Sequence, residues 1–201
     1  MSNGNVFARL WKLQASANKL VLDGKRNPDT LCALLQSFIE QKQEHTWKTW
    51  KTIKLGTGLQ TADDFTKAIR STGANTCHSA YDALKGQDFT VKHRMVTVEL
   101  ILAPVHKLGF ENGGDWTDIL ACAQERGLDL CPVEVAPQLC IQYPRQPKGL
   151  SLIIATESIT GASGKHHMLE VVNSTTGRFL TTVTGGYSFD KWESIVFLRR
   201  K

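Results

Sequence analysis

The chain is short of the signatures that identify a chemistry. Its five cysteines, Cys32, Cys77, Cys122, Cys131 and Cys140, are an odd number at irregular spacing, which argues against a disulfide framework. No two of them form a C-x-x-C pair, so a zinc ribbon is not expected. What is left is free thiols, several of them buried, in a reducing compartment. No segment is long and apolar enough to cross a bilayer. The best candidate, residues 96–105, is interrupted by Thr97, Glu99 and Pro104. Residues 1–5 are polar and lack the basic-then-apolar layout of a secretory signal. A cytoplasmic protein with no membrane partner is therefore expected. There is no G-x-S-x-G elbow and no glycine loop ending in Gly-Lys-Ser/Thr. Gly56-Thr-Gly-Leu-Gln-Thr lacks a third glycine at the dinucleotide-loop position and reads as a turn. No cofactor and no metal are expected.

What is present is an uneven charge. The 201 residues carry a net charge of +5. Residues 1–54 hold nine Lys/Arg against four acids, and residues 55–201 hold 15 of each sign. The whole excess lies in the first quarter, which marks that part as the contact for an acidic partner. The hydrophobic content of 41% is that of an ordinary globular protein, and a chain of this length buries enough surface to fold without a staple.

The pattern along the chain predicts an α+β fold: an N-terminal helical hairpin and a mainly antiparallel sheet body with one or two covering helices. Residues 1–44 read as the basic hairpin. Val6, Leu10, Leu13, Ala17 and Leu20 form one helical stripe, Gly24 ends it, and Asn27-Pro28 starts a second helix with Leu31, Leu34, Leu35, Phe38 and Ile39 inward. Residues 45–60 read as a linker ending in a short strand, and residues 61–201 as the body. Thr61 and Asp64 have capping-box spacing before Phe65, Ala68 and Ile69, and Gly73 stops that helix. A short helix is predicted over residues 77–84 and another over 116–126. Strands are predicted over residues 89–105, 138–143, 150–156, 166–172, 178–183 and 194–199, separated by glycine-rich turns. The short connections favour an antiparallel meander.

Three stretches read together: Trp50-Lys-Thr-Ile-Lys-Leu-Gly-Thr-Gly-Leu with Thr61-Ala-Asp-Asp-Phe; Gly127-Leu-Asp-Leu-Cys-Pro-Val-Glu-Val-Ala-Pro-Gln-Leu running on to Gln142-Tyr and Gln146-Pro-Lys-Gly; and Val196-Phe-Leu-Arg-Arg-Lys. They resemble a family of uncharacterised bacterial proteins abundant in genomes of candidate phyla. The resemblance covers most of residues 28–201 and implies a bacterial, cytoplasmic protein; it implies no activity. The segment from Thr156 to Val183, with its His166-His167 pair, departs from the pattern.

Two groups of residues carry the functional expectations. Trp47 and Trp50 interleave with Lys42, Lys48, Lys51 and Lys54. Cations that contact phosphate beside rings that stack on bases suit a single-stranded nucleic acid or another polyanion. Arg9 and Lys12 on the first helix add to that charge. The competing reading has both tryptophans packing in the core and the lysines merely solvated. A second set, Cys131, Asp129, Glu134, His106 and His166, would serve a small hydrolase if they converged. Asp129 and Glu134 would be paired carboxylates of a glycosidase type only if the fold gave them the right separation, and Cys131 would need an activating base. On a strand His166 shares a face with Met168 and Glu170 and not with His167, so the pair does not chelate one ion. A third possibility is self-association through the N-terminal helices.

Overall fold

The structure, a computed structural model, describes residues 47–183 and 188–200 together with the single positions Lys19 and Asp29. The chain divides into two units, Met1–His45 and Thr46–Lys201. The helical hairpin expected over residues 1–44, with Arg9 and Lys12, lies outside the described residues.

The second unit is a mixed sheet with helices on both faces. Strand β1 (Lys51–Leu55) is followed by helix α1 (Ala62–Ser71), β2 (Ala74–Thr76) and α2 (His78–Leu84). Strand β3 (Val96–Pro104) runs into a 3-10 turn, Val105–Leu108. Next come β4 (Gly114–Asp115), α3 (Trp116–Glu125), β5 (Leu128–Asp129) and α4 (Val135–Gln142). The remainder is strand: β6 (Ser151–Ile154), β7 (Ile159–Thr160), β8 (His166–His167), β9 (Leu169–Ser174), β10 (Gly177–Thr182), β11 (Ser188–Phe189) and β12 (Ser194–Arg199).

The large sheet has the order β1-β3-β12-β6-β9-β10-β2, with β5 paired to the far end of β12. It is mixed, not the mainly antiparallel sheet expected. The C-terminal strand β12 inserts between β3 and β6 and runs parallel to β6 (Ile195 opposite Ile153). Strand β2 joins β10 in parallel (Arg178 opposite Ala74). Both parallel pairs join segments far apart in sequence, and turn signals between neighbouring strands carry no information about such pairs.

Period-two alternation divides the side chains between two cores. One face of the sheet sends Ile53, Leu55, Leu100, Val196, Leu152, Val171 and Leu180 against Phe65 and Ile69 of α1, Ala80 and Ala83 of α2 and Leu139 of α4. The other sends Ile101, Ala103, Ile195, Phe197, Ile153 and Met168 against Ile119 and Ala123 of α3. A sheet covered on both faces needs apolar residues at consecutive positions, as in the fully buried run Ile195-Val196-Phe197.

Local signals set the element ends where they are strong. The Thr61 hydroxyl accepts from the Asp64 amide at 3.2 Å, and the Asp64 carboxylate accepts from the Thr61 amide at 3.0 Å. This is the reciprocal box read from the sequence. Gly73 and Gly127, at φ 76° and 77°, close α1 and α3. Two expectations are corrected. Residues 138–143 are not a strand: helix α4 covers Val135–Gln142, with Pro137 in the first turn, where its missing N–H costs nothing. The strand expected from residue 89 begins only at Val96: Phe89 and Val91 are half-buried against the core, and the exposed residues 92–95 are anchored through the Lys92 amide to Glu134, the N-cap of α4.

Candidate polyanion-binding edge

Strand β1 is an edge of the sheet. An edge strand offers unpaired backbone groups, and charged side chains are one device that keeps other chains off it. Here Ile53 and Leu55 point into the core, while Lys48, Thr52 and Lys54 are exposed. Lys48 to Lys54 spans roughly 20 Å at ~3.3 Å per extended residue. The outward backbone of Lys54 is engaged by α4: its amide donates to Gln142 Oε1 at 2.9 Å and its carbonyl accepts from Gln142 Nε2 at 2.7 Å. A side-chain amide thus takes the place of a neighbouring strand.

The antiparallel register sets Lys54 opposite Thr97 and Leu55 opposite Val96. That brings the end of β1 beside the approach to β3, where Lys92, His93, Arg94, Met95 and Val96 are all exposed. A Cβ on Gly56 would lie 2.2 Å from the Arg94 carbonyl oxygen and 2.9 Å from that of Lys92. The two segments therefore touch backbone to backbone, and only glycine fits. Among the described residues Lys48, Lys54, Lys92 and Arg94 have no carboxylate partner. The described ion pairs are Arg199–Glu99 at 3.0 Å, Arg200–Asp129 at 2.7 Å and His167–Asp82 at 3.0 Å. Glu99, opposite Thr52 on the neighbouring strand β3, is held by Arg199 and by the Thr49 hydroxyl at 2.6 Å.

The expected aromatic residues are placed differently from the cations. Trp47 is half-buried against the α3-side core and its carbonyl accepts from Arg199. Trp50 is half-buried against the other core and meets Tyr143 edge-on at 5.5 Å. Lys51 lies over the Tyr143 ring at 3.9 Å. Among the described residues the fully presented tryptophan is Trp192, 70% exposed, with His106 at 5.2 Å and the Lys191 ammonium at 5.1 Å. Sequence reasoning did not single it out. It sits in a turn tied to residues 105–106 beyond the end of β3, so the length of that strand, roughly 30 Å, separates it from Arg94.

The five residues of the hydrolase set are not brought together, and no hydrogen bond joins any two of them. Cys131 is buried, its thiol donates to the Val196 carbonyl at 3.4 Å, and burial pushes that thiol well above the usual range. Asp129 pairs with Arg200 at the surface. Glu134 is fully buried and accepts from backbone amides. The Nδ1–H of His106 donates to the Lys191 carbonyl at 3.0 Å. His166 lines a separate open hollow of about 380 Å³ with Trp116, Thr117, Ser158 and Met168. Glu170, expected to share a strand face with His166, lies instead on the separate strand β9; it accepts from the Ser151 hydroxyl, and burial holds its carboxyl above the ordinary carboxylate range. His167 faces the other way and donates to Asp82, which also accepts from the Ser163 amide and hydroxyl. These bonds, that of the Ser163 hydroxyl foremost, hold the Asp82 carboxyl below its ordinary value. Among the described residues no group of three His, Cys, Asp or Glu side chains is placed to hold a metal, and no helix is long and apolar enough to cross a membrane.

No family model, no curated protein and no solved structure matches this chain.

Proposed function

We propose that the protein is a non-catalytic binding module that contacts nucleic acid or another polyanion through its basic β1 edge, with Lys48, Lys51, Lys54, Lys92 and Arg94 neutralising phosphates or equivalent anions. Arg9 and Lys12 of the N-terminal segment are further cations of this chain that a polyanion can contact. The observation that carries the reading is the cluster of exposed cations at one edge, none of them paired with a carboxylate of the sheet. Unpaired surface cations keep their full attraction for a polyanion and release its counterions on contact. Trp47 and Trp50 support this edge by packing it onto the core, so the binding draws on charge more than on stacking.

The test is a fluorescence anisotropy titration of a labelled single-stranded oligonucleotide from about 20 to 200 mM salt. Contacts by Lys48, Lys51, Lys54, Lys92 and Arg94 give a slope of log affinity against log salt of about −3.5, at ~0.7 per contact. The triple variant K54A/K92A/R94A loses about 2 from that slope. No association at low salt, with this oligonucleotide or with heparin, refutes the reading.

A further inference from the structure

We propose that Glu134 is the positioning residue of this basic surface: its buried carboxylate joins the turn after β1 to the approach to β3 as one anion-binding unit. The proposal rests on the polyanion reading above and names the device that preorganises it. Glu134 is 0% exposed, yet among the described residues no cation pairs with it. Its partners are neutral donors: the Gly56 amide at 2.7 Å and Gln138 Nε2 at 3.1 Å on Oε1, and the Lys92 amide at 2.8 Å on Oε2. A carboxylate withdrawn from water is tolerated only when its lone pairs are used, and here two of its partners are backbone amides of two separate loops. Those loops carry the exposed cations. Lys54 stands two residues before one anchored amide, and Lys92, His93 and Arg94 begin at the other. Like charges on two touching segments repel, and among the described residues no carboxylate pairs with them from the solvent side. The negative charge beneath them opposes that repulsion and fixes both backbones.

Helix α4 repeats the theme at four-residue intervals. Gln138 donates to the Thr57 hydroxyl at 2.6 Å, Gln142 donates to Gln138 at 2.9 Å, and Gln142 grips Lys54. Residues four apart on a helix lie on one face, so Glu134, Gln138 and Gln142 form a single polar row aimed at the basic edge. A surface held in its binding arrangement in advance loses less entropy when the ligand arrives.

The experiment uses the full chain and the same labelled oligonucleotide. E134Q sets an amide NH2 against one of the two backbone N–H donors, which breaks one anchor while leaving every surface cation in place. The expected result is a salt slope reduced by about 1.4, the share of Lys92 and Arg94 at ~0.7 each. Faster hydrogen exchange at the Gly56 and Lys92 amides should accompany it, and E134D should move both readouts back toward the parent chain. A folded E134Q with the parent slope overturns the proposal. Should E134Q not fold, G56A probes the same junction from the other side, because its methyl would meet the Arg94 carbonyl oxygen at 2.2 Å. The same slope loss is expected, and an unchanged slope overturns the proposal. A parent chain that binds no polyanion at all sinks both this inference and the reading beneath it; a parent chain that binds, with variants that match it, sinks this inference alone.

Discussion

Replacing Arg178 by methionine tests how this fold terminates its helices. Arg178 lies on β10, faces the side of the sheet that packs on α1, α2 and α4 and is 7% exposed, with no carboxylate partner among the described residues. Its guanidinium instead serves two helix ends. One nitrogen donates to the carbonyls of Tyr143 at 2.8 Å and Cys140 at 3.3 Å, at the end of α4. The other donates to the carbonyl and hydroxyl of Thr72, the C-cap of α1, at 2.9 and 2.7 Å. Carbonyls at a helix C-terminus have no intrahelical donor and carry the negative end of the dipole, so one cation satisfies both helices. Methionine keeps most of the stem volume and removes the charge. Three carbonyls then lose a charged donor, each such bond being worth about 1.5–3 kcal/mol, while the cost of burying the cation is relieved. The net loss should be about 3 kcal/mol, or ~6–12 °C in Tm for a domain of this size. Arg178→Lys keeps the charge but not the two-sided fork, and should lose about half as much. Thermal and urea unfolding of the three proteins, followed by circular dichroism, gives the answer. If R178M lies within about 1 kcal/mol of the parent, water satisfies those carbonyls and the capping argument is wrong.

Acid unfolding offers a second test. Asp82 holds the β7–β8 hairpin through Ser163 and His167, and its folded-state pKa is depressed. Its contribution is therefore full above the unfolded carboxylate value of about 4 and disappears as the pH falls through the lower folded value. The stability difference between the parent and D82N should be largest near neutrality and shrink below pH ~4; a difference that does not vary with pH contradicts this account. Thiol labelling offers a third. Cys131 and Cys140 are buried, and burial raises Cys140 to about 11 against a partial offset from Arg178. Iodoacetamide at mildly alkaline pH should modify the half-buried Cys77 and Cys122 of the native protein long before these two, and peptide mapping that finds Cys131 alkylated first would contradict the core described above.

The sequence alone determined the parts of this protein that depend on neighbours within a few residues. Thr61 and Asp64 specified their capping box because the bonds close over three residues. Helix α3 and strand β12 were legible from periodicity, and the front-loaded charge needed only counting. The strand expected at residues 138–143 shows the limit: a short apolar run fits a buried strand and a buried helix equally, and packing decided for α4.

Tertiary structure decided everything that joins distant residues. The placement of β12 between β3 and β6 made the sheet mixed. The choice of tryptophan was also tertiary: the cores claimed Trp47 and Trp50, and a turn left Trp192 outside. Asp129 and Glu134, whose pairing only their separation in the fold could decide, went to a surface ion pair and to a buried backbone anchor. Arg178, read only as a strand residue, became the cap of two helices. A carboxylate or a guanidinium can satisfy partners from any part of the chain, so its role is fixed by which backbone ends the fold brings within about 3 Å, and no local pattern records that.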